Sequence, residues 1–558
     1  MSKSLFFLFI FCFLFLKENL SAQDLSKVNK KNLVKTRGGV NLSTVFYDAD
    51  GIENRRDPFY WQLKANLNFN VAGIAIPFSA SFSQQQNEFT QPFNQVGLSP
   101  KYKSVTVHAG YRSMSFSPYT LGGKTFLGGG IEIKPKDSWI QASVLYGRFA
   151  RAVQTGGNDG NVSGIATYER WGYGAKVQMG NKTNLVAISL FRGRDDENSI
   201  LADSTNAYIA PAENLVWSIF TKHKIAKKVT FDFEYAFSGY TRDTRNTNEV
   251  LDNFNYYNNL GGLFTPNATT QYNKAIVTNL TYAHQKYNLK FTYKRIDPQY
   301  LSMGTPFLNN DLENLTGAVT WKMFKKKFGI TTTGGFQRNN LDGLKATKET
   351  RLAMGLNLTY TYKKKMNMSF NYANFKSDVR QAQFIEIDSL EFFQVTHNLS
   401  FRTNYKLGNS KFSKKDIIFS TNYQLATDSY DSETTISNNN LGYKHSLKPI
   451  GLSLFASMNY NRSAFQGLET DSYGPTFNAT KKLMKKKVVL KFTFSTLFRK
   501  ANKIKQNAIS NFRFTAKYNY NRHHGISLNT SLLDRQTYEG TQPSFKEKTM
   551  TLQYTAKF

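Results

Sequence analysis

The side chains of this chain that could do chemistry are mostly bases, set inside alternating stretches. Lys64, Lys176, Lys290, Lys294, Arg402, Lys491, Arg513 and Lys517 each follow an apolar or aromatic residue of an alternating stretch and so take the opposite face. In the same sample of stretches only two acids, Asp232 and Glu234, take equivalent positions. Cations on one face of a low-dielectric wall focus field and concentrate anions, and rings of charge are a common selectivity device in pores. The same bases also fit a plainer role, as hydrated wall residues paired with acids from infolded loops.

Bond-breaking chemistry has weaker support. A hydrolase would need a histidine within reach of an acid or a nucleophile. His223, His284, His523 and His524 fall in short connections, and His108 takes an inward position with no acid partner near it in sequence. His397 and His445 fall on apolar ladder faces, which marks them as interfacial positions, as protein contacts or as a one-residue slip in the pattern. Glu386 and Asp388 with Asp378 lack the spacing of an EF-hand calcium loop and read as a solvated acidic loop. No catalytic, cofactor-binding or metal-ligating residue is assigned, and no cofactor is expected.

The most unusual stretch is Tyr111 to Gly130, with Ser117, Pro118 and Tyr119 followed by Gly122, Gly123 and three glycines at 128–130. Glycines at 128 and 130 would leave one strand face bare, so that another backbone can approach closely. That predicts an infolded loop packed on a wall and narrowing a pore, with an ordinary surface loop as the other reading. It is not a phosphate-binding loop, because no strand-to-helix turn follows.

The elements that position these residues are strands. Phe59, Trp61, Leu63, Ala65, Leu67, Phe69 and Val71 alternate strictly, and the pattern resumes after Ala72-Gly73 with Ile74, Ile76, Phe78, Ala80 and Phe82. Ladders of this kind recur to the end of the chain, closing on Met550, Leu552, Tyr554, Ala556 and Phe558. Their lengths, roughly 9 to 12 residues, suit tilted membrane-spanning strands. Connections alternate between short basic ones, such as 222–228, 363–365 and 484–487, and long polar ones that carry most of the acids. Short turns on one side and long loops on the other is the layout of a closed antiparallel transmembrane β-barrel. Counting turns predicts about 26 strands, within a range of 22 to 26. A sandwich or propeller would have shorter strands and aliphatic rather than aromatic ladders.

Bulk properties agree with an all-β membrane protein. The chain has 558 residues, 40% hydrophobic and 15% aromatic, with a formal net charge of +33. Residues 1–22 have the form of a secretory signal peptide, with Lys3, an apolar run from Leu5 to Leu16 and Ala22 at its end. Its Cys12 is the single cysteine of the chain, so the exported part can form no disulfide. A short basic periplasmic segment, 23–38, then precedes a single barrel domain, 39–558.

The C-terminal ladder ending in Tyr554 and Phe558 resembles the signal by which outer-membrane barrels are recognised for insertion. The segment Ser21-Ala22-Gln23 is similar to signal ends in Bacteroidota, and residues 111–130 and 295–311 are similar to stretches of poorly characterised, porin-like outer-membrane proteins from that group. The resemblance implies an outer-membrane barrel and an insertion machinery as partner, but no reaction and no solute. A TonB-dependent transporter would need a plug domain, and the lipopolysaccharide-export barrel a periplasmic β-domain, for which residues 23–38 leave no room.

Two readings of function follow. The first is a non-enzymatic multi-pass barrel in the bacterial outer membrane that acts as a pore with a basic lumen for anionic solutes. The second is an accessory barrel of a larger machine for outer-membrane protein assembly, type IX secretion or glycan uptake, with other outer-membrane or periplasmic proteins as partners. Lipid surrounds the barrel in both; the basic turns would meet anionic headgroups or an acidic partner, or simply keep the turns solvated. Nucleic acid is not expected, since no recognition module interrupts the strands.

Overall fold

The computed structural model describes residues 34–84, 91–136, 138–154, 166–200, 209–248, 262–382, 391–540 and 542–558. Among these, 27 extended segments form one antiparallel sheet that closes on itself. Gln95–Leu98 and Lys101–Tyr102 are halves of a single stave, because both pair with Ile74–Ser83 on one side and Val105–Ser115 on the other. Pro100, which has no N–H to give a ladder, separates them. The barrel therefore has 26 staves, at the top of the range the turns predict.

Closure joins the first and last strands, Val34–Asp50 and Phe545–Lys557, from Gly39 opposite Lys557 to Asp50 opposite Lys546. Phe558 prolongs this seam, donating its N–H to the Gly38 carbonyl at 3.0 Å and accepting from the Gly38 N–H at 3.2 Å. Gly38 has φ +129° and its α-carbon lies against the Asn66 carbonyl, where any side chain would collide. The first strand thus begins at Val34, earlier than residue 39, where the alternation first becomes legible.

Side chains sort by parity. Phe46, Phe59, Leu289, Phe291, Phe492, Leu552 and Tyr554 all point outward and are exposed, whereas Asn41, Asn357, Asn371, Asn459 and Thr493 point inward and bond one another or their neighbours. A sheet without edges, apolar outside and polar inside, is the form in which strands cross a bacterial outer membrane. That is where this protein resides. With strands about 4.8 Å apart and tilted about 40°, 26 staves close at a backbone diameter of roughly 50 Å.

The end at which Val34 and Phe558 lie has short turns, several built on left-handed lysines. Lys227, Lys363, Lys364, Lys485 and Lys486 have φ between 42° and 74°, each costing roughly 1 kcal/mol relative to glycine. At the opposite end, the longest connections lie in the first part of the chain. Beyond Ser413–Asp428 that end is closed by residues 429–432, 466–467 and 502–503 and by the seven-residue connection 538–544, while the strands from Ser413 to Thr537 run to 14–16 residues. The expected contrast between short turns and long loops is therefore strong in the first two thirds of the barrel and weak in the rest.

Candidate functional site

The inner wall changes character where two connections fold into the barrel. Residues 116–121 and 297–311 lie against each other and against the strands from Val105–Ser115 to Leu312–Met323. Leu121 and Gly304 make a parallel bridge, with the Gly122 N–H donating to the Gly304 carbonyl at 3.0 Å. The Tyr300 hydroxyl donates to the Tyr119 carbonyl at 2.9 Å, and the Ser302 hydroxyl to the Thr120 carbonyl. These are the two stretches, 111–130 and 295–311, that stand out in the sequence, and the fold brings them into one body.

Wall residues hold that body in place. Asn214 accepts the Met303 N–H at 3.0 Å, and the Ser238 hydroxyl donates to the Leu301 carbonyl at 2.6 Å. Lys176 donates to the Phe116 carbonyl at 2.8 Å and Lys124 to the Met303 carbonyl at 3.1 Å. Ser117 donates to Glu234. Below the hydrogen bonds, Tyr119 and Tyr300 pack on Val216, Ala236, Ala275 and Ile296, while Phe116, Leu121 and Met303 join Met114, Phe126, Phe149 and Phe191.

Glycines on the inner face make room. A Cβ at Gly174 would come within 2.9 Å of the Phe116 ring, and one at Gly130 within 2.6 Å of the Met114 sulfur. The missing Cβ of Gly130 thus admits the Met114 side chain of the adjoining strand, and that of Gly174 the Phe116 ring that descends with the loop. The sequence signal for this seat is a local loss of alternation: Leu215-Val216-Trp217, Tyr235-Ala236-Phe237 and Leu190-Phe191 are apolar on both faces. An inner face needs apolar residues only where something covers it.

The eight sequence-selected bases separate into two groups. Lys176 and Lys294 lie beneath the infolded body, Lys294 with its ammonium 6.0 Å from the centre of the Tyr119 ring. Lys64, Lys290, Arg402, Lys491, Arg513 and Lys517 are exposed in the lumen. Three of these converge: Lys491 stands opposite Thr515, between Arg513 and Lys517 on the adjacent strand. None of the three has an ion-pair or hydrogen-bond partner among the described residues. Their strands are the twenty-third and twenty-fourth staves, and Glu213–Ile225, under the infolded body, is the tenth, so the trio looks across the lumen at the covered wall.

Ser117 and Tyr119 are buried in the infolded body, which Pro118 helps to turn; Gly122 opens the strand that leaves it and Gly123 has φ +80°. Burial and the charge on Glu234 push the Tyr119 hydroxyl's pKa up, keeping it neutral. Tyr554 points outward and its hydroxyl meets His524 Nδ1 at 2.7 Å.

The structure supplies His108 with the acid partner that is not visible in sequence. Its Nδ1 lies 2.9 Å from the Ser99 hydroxyl and its Nε2 is 3.7 Å from Glu132, which Lys134 also holds at 2.8 Å. Ser99 is buried, and 3.7 Å exceeds a hydrogen bond. His397 and His445 do face outward, His445 near the end of its strand, and His397 Nδ1 lies 2.9 Å from the Tyr372 hydroxyl. Glu386 and Asp388 lie outside the described residues, as does the segment 1–22. Among the described residues no three His, Cys, Asp or Glu side chains converge as metal ligands would.

No protein-family model matches this chain, and no curated protein matches it. Solved structures similar to it include the copper transporter OprC, at 8% identity over 94% of this chain and 80% of that one, with a TM-score of 0.42. The ferric yersiniabactin uptake receptor FyuA from Yersinia pestis matches at 9% identity over 94% and 80%, with a TM-score of 0.40. OpdQ from Pseudomonas aeruginosa matches at 9% identity over 94% and 98%, with a TM-score of 0.29.

Proposed function

We propose that this protein is a non-catalytic channel for anionic solutes, with a lumen narrowed on one side by residues 116–121 and 297–311. The observation that carries the reading is the exposed trio Lys491, Arg513 and Lys517, unpartnered among the described residues and facing the covered wall. On that wall Lys176, Lys124, Asn214, Ser238 and Glu234 are engaged in holding the infolded body, whereas the trio on the bare side is left to the lumen. A wall of this kind raises local anion concentration in a salt-dependent way.

Single-channel recording in planar bilayers tests it. The expected result is a steady current whose reversal potential under a salt gradient reports anion preference, stronger at low salt. A closed barrel that copurifies in fixed stoichiometry with other envelope proteins would instead establish the accessory-subunit reading. What favours that second reading is the width of the barrel, since so large a lumen is dangerous unless loops or partners occlude it.

A further inference from the structure

We infer that the outer face of the barrel carries a binding site for the phosphorylated sugar headgroup of an outer-leaflet glycolipid, built on Trp171 and Arg194. A cleft of about 400 Å³ opens there, lined by Tyr146, Trp171, Tyr173, Arg192, Arg194 and the turn from Asp196 to Asn198. Tyr146, Trp171, Tyr173, Arg192 and Arg194 all have outward parity: Tyr146 and Tyr173 are paired across the sheet, as are Trp171 and Arg194. The cleft therefore opens toward lipid and not into the lumen, and it is independent of the channel reading.

Its height suits a headgroup. Arg192 and Arg194 lie eight and ten residues above Asn184, where the strand leaves the short-turn end. At about 3.3 Å per residue and a tilt of about 40°, that is roughly 20 to 25 Å, the upper edge of the apolar band.

Its chemistry suits a phosphorylated sugar. Tyr146 and Trp171 stack with centroids 5.4 Å apart and 23° between planes, and both are exposed, at 59% and 37%. Such a platform packs against the C–H faces of a pyranose. Two arginines beside it are already neutralised: Arg148 by Glu169 at 3.0 Å, and Arg192, over the Tyr173 ring, by the fully buried Glu213 at 2.6 Å. Arg194 is exposed and has no partner among the described residues, which leaves its planar fork for a phosphate. Asp196, Glu197 and Asn198 face the same cleft and offer acceptors to sugar hydroxyls. With these two acids present, a bare anion would gain little, whereas a sugar that carries both hydroxyls and phosphate uses every group.

The test uses the full barrel in detergent with purified lipid A, a diphosphorylated and acylated glucosamine disaccharide, read by native mass spectrometry. Dephosphorylated lipid A and phosphatidylglycerol are the comparison lipids. Wild type is expected to retain lipid A most strongly, and Arg194→Ala to lose about 10-fold in affinity for it with little change toward the dephosphorylated form. Trp171→Leu, which keeps an apolar surface toward lipid, is expected to weaken both forms of lipid A. Heat-modifiable gel mobility confirms that each variant is a folded barrel, and Arg194→Ala alone suffices if Trp171→Leu is not. Equal retention of phosphatidylglycerol, unchanged binding by Arg194→Ala, or a protein seated on the cleft would each overturn the site.

Discussion

Lys491 sits diagonally between Arg513 and Lys517 on a wall where neighbouring side chains are Thr and Asn. At diagonal spacings of about 7 Å in a water-filled lumen each like-charge pair costs roughly 0.6 kcal/mol, a tension that a bound anion relieves. Replacing Lys491 by Glu is expected to lower anion-over-cation permeability about 3-fold or more, with the reversal potential moving toward zero; an unchanged potential would remove the trio from the pathway. At the seam, Phe558 is half exposed and its backbone pairs with Gly38. We propose that it is also part of the insertion signal, so that Phe558→Asp reduces the heat-modifiable barrel in outer-membrane fractions; normal levels would defeat this. Asp311 supplies a pH test. Burial opposes its ionisation, but Lys345 and the N–H groups of Leu341 and Asn340 outweigh it and hold its carboxyl below the usual carboxylate value. Its contribution is therefore complete above the unfolded value of about 3.9 and is lost as pH falls through the lower folded value. Pepsin cleavage near Leu341 should rise only below about pH 4, whereas Asp311→Asn should loosen the same connection at neutral pH, as seen by limited proteolysis.

At the scale of elements, the infolded body behaves as a latch between two connections far apart in sequence. Tyr300 is almost fully buried and spans both, through its ring on the wall and its hydroxyl on Tyr119. Tyr300→Ala would remove packing worth about 3 to 5 kcal/mol, more than the marginal local stability of a loop. The expected outcome is larger and noisier single-channel conductance with an unchanged sheet by circular dichroism. Gly174→Leu should do the same from the wall side by displacing the Phe116 ring. If both variants conduct as wild type does, the body does not narrow the lumen. The short turns show a different economy: lysines are kept at left-handed positions where glycine or asparagine would be less strained, so their charge is retained against a conformational cost.

For the whole molecule, closure by 26 staves decides width, and the infolded body decides how much of that width is free. Alternation, turn spacing and the terminal ladder were legible in the chain because each is local: a period of two marks faces, and a basic two- to four-residue break marks a turn. The seat of Phe116 and Tyr300 was legible only in part. Glycines at 128–130 pointed to a close approach, and the doubly apolar Leu215-Val216-Trp217 marks a covered inner face, but neither says what covers it. His108 illustrates the same limit, since Glu132 reaches it across a strand pair and not along the chain. By itself the sequence determined the barrel and its two faces. Only the tertiary structure decided that residues 116–121 and 297–311 meet, that Lys176 and Lys294 lie beneath them, and that Lys491, Arg513 and Lys517 stand across the lumen without a side-chain partner among the described residues. The physical reason is that strand periodicity is set by neighbours in sequence, whereas burial and charge pairing depend on residues more than a hundred positions apart, as Tyr119 and Tyr300 are.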